Sequence, residues 1–158
     1  MKHEDVCTLL KNDEDKDILT RKGFHVNMRL YSTSPVYRTI IRDSANYIWE
    51  LAKTKREGYK QPHGFSGANA GIPFNIIATP EMVMLNPHLL TGNGTRYSYS
   101  NCGSLLLDAP IKVRRFACVT VEFFDLEGVR HELTGYYPTL QHEIDHNLGI
   151  LILQRQIK

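Results

Sequence analysis

The stretch Gln141-His142-Glu143-Ile144-Asp145-His146 has residue types and a spacing suited to metal chemistry. On a helix, residues i and i+4 share a face, so His142 and His146 can point at one metal ion. Glu143 then stands beside a ligand without being one, near enough to handle the proton of a metal-bound water. The flanking residues predict that helix. Pro138 suits a first turn, and Leu140, Ile144 and Leu148 recur every four residues. The plainer alternative is a helix with two surface histidines and a solvated Glu-Asp pair. The chain has seven histidines, so a chance match is a real competitor.

A catalytic centre of this kind needs a third protein ligand and an open fourth position. No His, Cys, Asp or Glu lies between Asn147 and Lys158, so the third ligand is expected upstream. Cys118 precedes a strand-like run and reads as a small buried hydrophobe. Cys7 lies in a polar arm, a poor base for a rigid site. Cys102 stands between Asn101 and Gly103, where the backbone can turn toward the helix. A thiolate with two imidazoles suits zinc or ferrous iron, while Asp and His ligands remain open on spacing alone.

The elements that must position these groups follow from periodicity. Residues 1–25 are polar and charged, with Asn12-Asp13-Glu14-Asp15-Lys16-Asp17, a mainly acidic run, in the middle, and predict a frayed or loosely packed N-terminal arm. Phe24, Val26, Met28 and Leu30 alternate as in a short strand, and Ser32-Thr33-Ser34-Pro35 then breaks the chain. Residues 39–55 predict a long helix with an apolar stripe at Ile41, Ala45, Ile48 and Ala52. Residues 58–71, rich in Gly, Pro, Ser and Asn, predict a loop. Short strands are expected at residues 72–77 and 82–85, the second ended by Asn86-Pro87. Gly92-Asn93-Gly94 predicts a turn. The run from Val119 to Phe123, the turn at Asp125-Leu126-Glu127-Gly128 and residues 129–133 form a hairpin pattern. Residues 150–153 read as a last strand or a buried segment. The expected architecture is α+β: short, mostly antiparallel strands around a central helix that bears the motif.

A chain of 158 residues fits one domain, taken here as residues 1–158. Apolar residues make up 42% and charged residues 23%, an ordinary globular balance. A formal charge of +2 gives no reason to expect nucleic acid or an acidic membrane as partner. No apolar run approaches membrane-spanning length, and the N-terminus lacks an export signal's apolar core. Three cysteines form no disulfide framework, and a cytoplasmic protein is expected.

The chain resembles the peptide deformylase family. Gln141 to His146 matches that family's third motif in full, including the Asp at 145 that generic metallopeptidases lack. Met84-Leu85-Asn86-Pro87 matches the segment leading to its second motif. Asn101-Cys102-Gly103-Ser104 stands where the family usually has Glu-Gly-Cys-Leu-Ser. Arg115 and the strand from Val119 also fit, and the resemblance spans roughly residues 40 to 153. It implies that Cys102, His142 and His146 hold one divalent ion, ferrous iron first, with zinc or nickel as alternatives. It implies Glu143 as general acid/base, and formyl-methionyl peptides or nascent chains as substrate. The ribosome enters as a further partner, and a monomer is expected.

The departures fall where the chemistry needs support. The family's first motif usually reads Gly-x-Gly-Leu-Ala-Ala-x-Gln, whereas Gly64 to Pro73 contains no Gln. In the family that amide donates to the developing oxyanion, and losing one such donor costs about 3 kcal/mol. Asn69 is the nearest substitute, and the backbone N–H of Gly103 is the other expected donor. Ser100 and Asn101 replace Glu-Gly, Gly103 replaces Leu, and Asn147 replaces an apolar residue after the last His. Gly67, Thr139 and Ile144 are expected to line a methionine pocket, with simple core packing as the alternative. Asp145 is expected to orient a ligand or to be a solvated charge. The competing functions are a deformylase-like metal-binding protein with reduced or lost activity, and hydrolysis of another small N-acyl substrate.

Overall fold

The computed structural model describes residues 11–54, 64–102, 104–105, 107 and 109–157. The acidic run is ordered. It forms α1 (Asp13–Leu19), capped by the Asn12 side chain, which accepts from the Asp15 N–H. Three acidic residues in the first turn complement the helix dipole. Leu19 at the helix end is fully buried, so the expectation of a loosely packed arm fails for this stretch. Residues 1–10, Cys7 among them, lie outside the described residues.

The predicted strand after it does not form. Phe24 makes only an isolated bridge to Phe74, and Asn27 caps a short helix, α2 (Met28–Thr33). The alternation there arises from Val26 packing inward just before the helix begins. Ser34-Pro35 closes one helix and opens the next. The Ser34 hydroxyl accepts from the Tyr37 N–H, and Pro35 occupies the first turn of α3 (Pro35–Lys53). The predicted stripe is buried as expected, with Leu51 added to it.

Residues 55–63, which include the first part of the predicted loop, lie outside the described residues. The rest is structured as β1 (Phe65–Ser66) and a single-turn helix, α4 (Gly67–Ala70). β2 (Ile76–Ala78) and β3 (Val83–Asn93) follow. β3 does not end at Asn86-Pro87. Asn86 takes a left-handed backbone, φ 52°, and the register shifts between Leu85 and His88. This irregularity accommodates Pro87, which has no N–H for a regular ladder. The Asn86 amide turns inward instead, bonding both the N–H and the C=O of Val26.

β4 (Arg96–Ser100) pairs with β5 (Ile111–Arg115) in a separate two-stranded ribbon. β6 (Cys118–Phe124) and β7 (Arg130–Gly135) make the expected hairpin. Asp125 nucleates its turn by accepting from the N–H groups of Glu127 and Val129. The main sheet runs β1-β2-β3-β6-β7, with every pair antiparallel. The motif helix, α5, spans Pro138–Asn147. Residues 150–153 form no strand. Leu151 and Ile152 are buried, and a 3-10 turn covers Ile152–Arg155.

Alternation along the strands sorts the core into two layers. Ile76, Ala78, Val83 and Leu85 face α3, whereas Ile77, Met84, Val119, Val121 and Phe123 pack with Leu140 and Ile144 of α5. A third cluster joins Leu19, Cys102, Leu105, Val113, Leu151 and Ile152. It anchors the cysteine segment against the terminal turn. The α+β architecture around a central motif helix is as predicted.

Gly67 is fixed by close approach. A Cβ there would lie 2.4 Å from the Phe74 carbonyl oxygen and 2.8 Å from that of Ile72. Gly67→Ala is therefore expected to destabilise the protein by about 1–3 kcal/mol. Urea unfolding measures this, and an unchanged midpoint would contradict the packing described.

Candidate metal centre

The motif helix delivers both imidazoles to one point. The Nε2 atoms of His142 and His146 are 3.0 Å apart, and Cys102 Sγ is 3.3 Å from His146 Nε2. One ligand atom from each of the three residues lies within 4.8 Å of the others. Tetrahedral coordination, with bonds of about 2.0–2.1 Å to nitrogen and about 2.3 Å to sulfur, separates donors by roughly 3.3 Å (N···N) and 3.6 Å (S···N). The observed spacings are a few tenths shorter, so one divalent ion fits with a small outward adjustment. Cys102 arrives from the end of β4, held by the cluster around Leu105 and Val113.

Burial sets the protonation of this group. His146 is 1% exposed. Desolvation pushes its pKa down to about 4; the Asp145 carboxylate opposes that and the Arg115 cation reinforces it. The imidazole is thus neutral near pH 7, as a metal ligand must be. Its Nδ1 is buried with no hydrogen-bond partner among the described residues. A neutral ring with its proton on Nδ1 leaves the Nε2 lone pair for the ion.

The residues alternating with the ligands brace the helix. Asp145 is neither solvated nor exposed, at 7%. Arg115 of β5 donates to its Oδ2 at 2.6 Å, and Arg155 of the terminal turn bonds both of its oxygens, at 3.1 and 2.9 Å. Arg115 also brings Nη2 to 3.5 Å from His142 Nδ1, the outer limit of a hydrogen bond. Gln141 pairs like a strand residue: its Oε1 accepts from the Phe116 N–H, and its Nε2 donates to the Phe116 carbonyl. Asn147 ties the helix end to the first-motif region. It donates to Asn75 Oδ1 and the Ile76 carbonyl, and its Oδ1 accepts from the Ala68 N–H. A polar residue after the last His is therefore fully used.

The remaining expected site residues divide. Glu143 is buried beside Gly64, where an added Cβ would lie 3.4 Å from its Cγ and 3.6 Å from Thr139 Cγ2. Asn69 is buried. Its Oδ1 accepts from the Ser66 hydroxyl, and its Nδ2 donates to Ser104 Oγ at 2.6 Å, so it grips the cysteine segment. Gly103 lies outside the described residues. Thr139 is exposed near Gly64. Ile144 packs in the core beneath α5, which matches the packing alternative for that residue. Cys118 is exposed at the start of β6, contrary to the buried hydrophobe expected, because the first residue of that strand points outward. Gly64 and Arg155 carried no signal in the sequence. Their roles depend on contacts between distant segments.

Comparison with known proteins agrees with the motifs. The sequence profile of the polypeptide deformylase family matches residues 48–158. A peptide deformylase of Streptococcus gordonii is 37% identical over 93 residues, covering 55% of this chain and 45% of that protein. The chain thus matches under half the length of that curated relative. The crystal structure of a Thermotoga maritima peptide deformylase superposes with a TM-score of 0.75 at 16% identity, covering 96% of this chain and 97% of that one. An actinonin-bound class I type b peptide deformylase from Acinetobacter baumannii superposes with a TM-score of 0.70 at 23% identity, covering 96% and 99%. The chain belongs to the polypeptide deformylase family. Among the described residues, no helix is long and apolar enough to cross a membrane.

The depressed His146 pKa predicts a pH dependence for the metal-free protein. The unfolded chain takes up this proton near pH 6.5 and the folded one only near pH 4. Between those values the unfolded state holds more protons, so stability falls as pH is lowered through that window. The loss is at most about 3 kcal/mol. Urea midpoints from pH 7 to pH 4 measure it, and His146→Gln should flatten the slope. An equal slope in that variant would contradict the assignment.

Proposed function

We propose that the protein removes the N-terminal formyl group from formyl-methionyl polypeptides. The observation that carries this reading is the convergence of Cys102, His142 and His146, with Glu143 on the same helix, in a chain of this family. Cys102, His142 and His146 are the proposed ligands of one divalent ion, ferrous iron first and zinc or nickel as alternatives. Such an ion lowers the pKa of water and polarises a carbonyl. Glu143 takes a proton from the attacking water as its oxygen joins the formyl carbon. Glu143 then delivers that proton to the departing amine as the C–N bond breaks, which leaves formate and a free methionine N-terminus.

The proposed oxyanion donors are the backbone N–H of Gly103 and the second N–H of the Asn69 amide. The first N–H of that amide holds Ser104, next to Gly103 in sequence, which supports the assignment. The substrate methionine is proposed to lie against Thr139 and the Gly64 to Gly67 segment. Buried Ile144 supports that wall from behind. The substrate class implies cytoplasmic work on nascent chains leaving the ribosome, by a monomer built as one domain.

A second reading, metal binding with reduced or lost turnover, is favoured by one observation. Gly64 to Pro73 holds no Gln, and the Asn69 amide is partly committed to Ser66 and Ser104.

Iron-loaded protein, kept anaerobic, is expected to release formate from formyl-Met peptides. Glu143→Gln should lower kcat by a factor of about 100 to 10,000 while metal content stays stoichiometric. Bound metal without formate release above the metal-free control selects the second reading. In an active enzyme, Asn69→Ala is expected to lower kcat more than it changes KM. An effect confined to KM would remove Asn69 from the oxyanion site.

A further inference from the structure

A cleft opens on the face of α5 that carries Gln141 and Asp145. Its volume is about 470 Å³, within the range of small-ligand pockets. Gln141 and Asp145 form its α5 wall, one residue out of phase with His142 and His146, and none of the three candidate metal ligands lines it. Arg114 and Arg115 enter from β5, and Arg155 from the terminal turn.

Among the described residues, the charge there does not balance. Three guanidinium groups line the cleft against one carboxylate, Asp145. Arg115 is 4% exposed, and its Nε is buried with no hydrogen-bond partner among the described residues. Arg155 binds Asp145 through Nε and Nη2, and its Nη1 makes no hydrogen bond among the described residues. Arg114 is exposed and makes no ion pair among the described residues. A sheltered excess of positive charge with spare donors favours a counter-anion. Guanidinium is suited to planar or tetrahedral oxyanions because its forked N–H groups bind two oxygens at once.

The rest of the lining fits an organic body attached to that anion. Phe116, 43% exposed, lies against Gly92, where an added Cβ would come within 2.7 Å of its ring. Leu89 adds apolar surface, and Gln154 and Gln156 add amide groups.

We propose that this cleft is a binding site for a small organic oxyanion, a phosphate or a carboxylate. Arg114 and Arg155 hold the charged group, Arg115 supplies field from the wall, and the ligand's body rests on Phe116 and Leu89.

Isothermal titration of the metal-loaded protein with phenyl phosphate, benzoate and neutral benzamide tests this. Acetohydroxamate is kept saturating to occupy the metal centre. At least one anionic probe is expected to bind at a single site and benzamide not to bind. Tighter phenyl phosphate identifies a phosphate ligand, and tighter benzoate a carboxylate. Arg114→Gln, an exposed change that leaves the core intact, should weaken binding about tenfold or more. Arg155→Gln should act in the same direction. The proposal is overturned if neither anion binds, if benzamide binds equally well, if the hydroxamate abolishes binding, or if both arginine variants bind like the parent.

Discussion

The architecture turns on the buried carboxylate of Asp145. It sits on the motif helix between the two histidines and is shared by an arginine from β5 and one from the terminal turn. The motif helix, β5 and the terminal turn are thereby locked together beside the ligand row. Replacing Asp145 would leave the buried Arg115 guanidinium without its carboxylate, a change that costs about 3–5 kcal/mol. Gln141 adds a second clamp to the β5–β6 connection, and Asn147 a third to the first-motif region. Each residue around the histidines therefore has a mechanical task. The imidazoles can be held at bonding distance of a common point because α5 has little freedom to rotate.

Much of this was legible in the chain. Leu140, Ile144 and a proline marked the motif helix, although Leu148, the third residue of that repeat, caps the helix and is exposed; a 3.6-residue stripe marked α3, because both helices bury one face on the sheet. The hairpin was legible from alternation and the turn Asp125-Leu126-Glu127-Gly128. Other features were hidden for definable reasons. The apolar residues near Phe24 alternate, but Asn27 supplies a cap, and local capping outweighed the strand pattern. Asn86-Pro87 looks like a stop, yet the sheet absorbs it through a left-handed residue whose amide bonds Val26. The acidic run near Asp13 looks like a solvated tail until Leu19 is seen to be buried.

The centre shows the same division. His142 and His146 declare themselves by spacing within one helix. Cys102 is less plainly marked: its Asn101 and Gly103 flanks make it one candidate among Asp and His alternatives, and the family resemblance narrowed the choice to it. Arg155 was invisible because its contact spans the last turn and its neighbours read only as an apolar run. The first-motif segment holds no Gln; there Asn69 caps α4 with its side-chain oxygen and donates to Ser104. The loop is thus tied to the cysteine segment by a shorter side chain.

The central claim is that one thiolate and two imidazoles share a single divalent ion. X-ray absorption at the metal edge of the zinc-loaded protein tests it most directly. The account predicts one sulfur neighbour at about 2.3 Å and nitrogen or oxygen neighbours at about 2.0–2.1 Å, with the sulfur lost in Cys102→Ser. A shell of nitrogen and oxygen alone in the parent protein would contradict it.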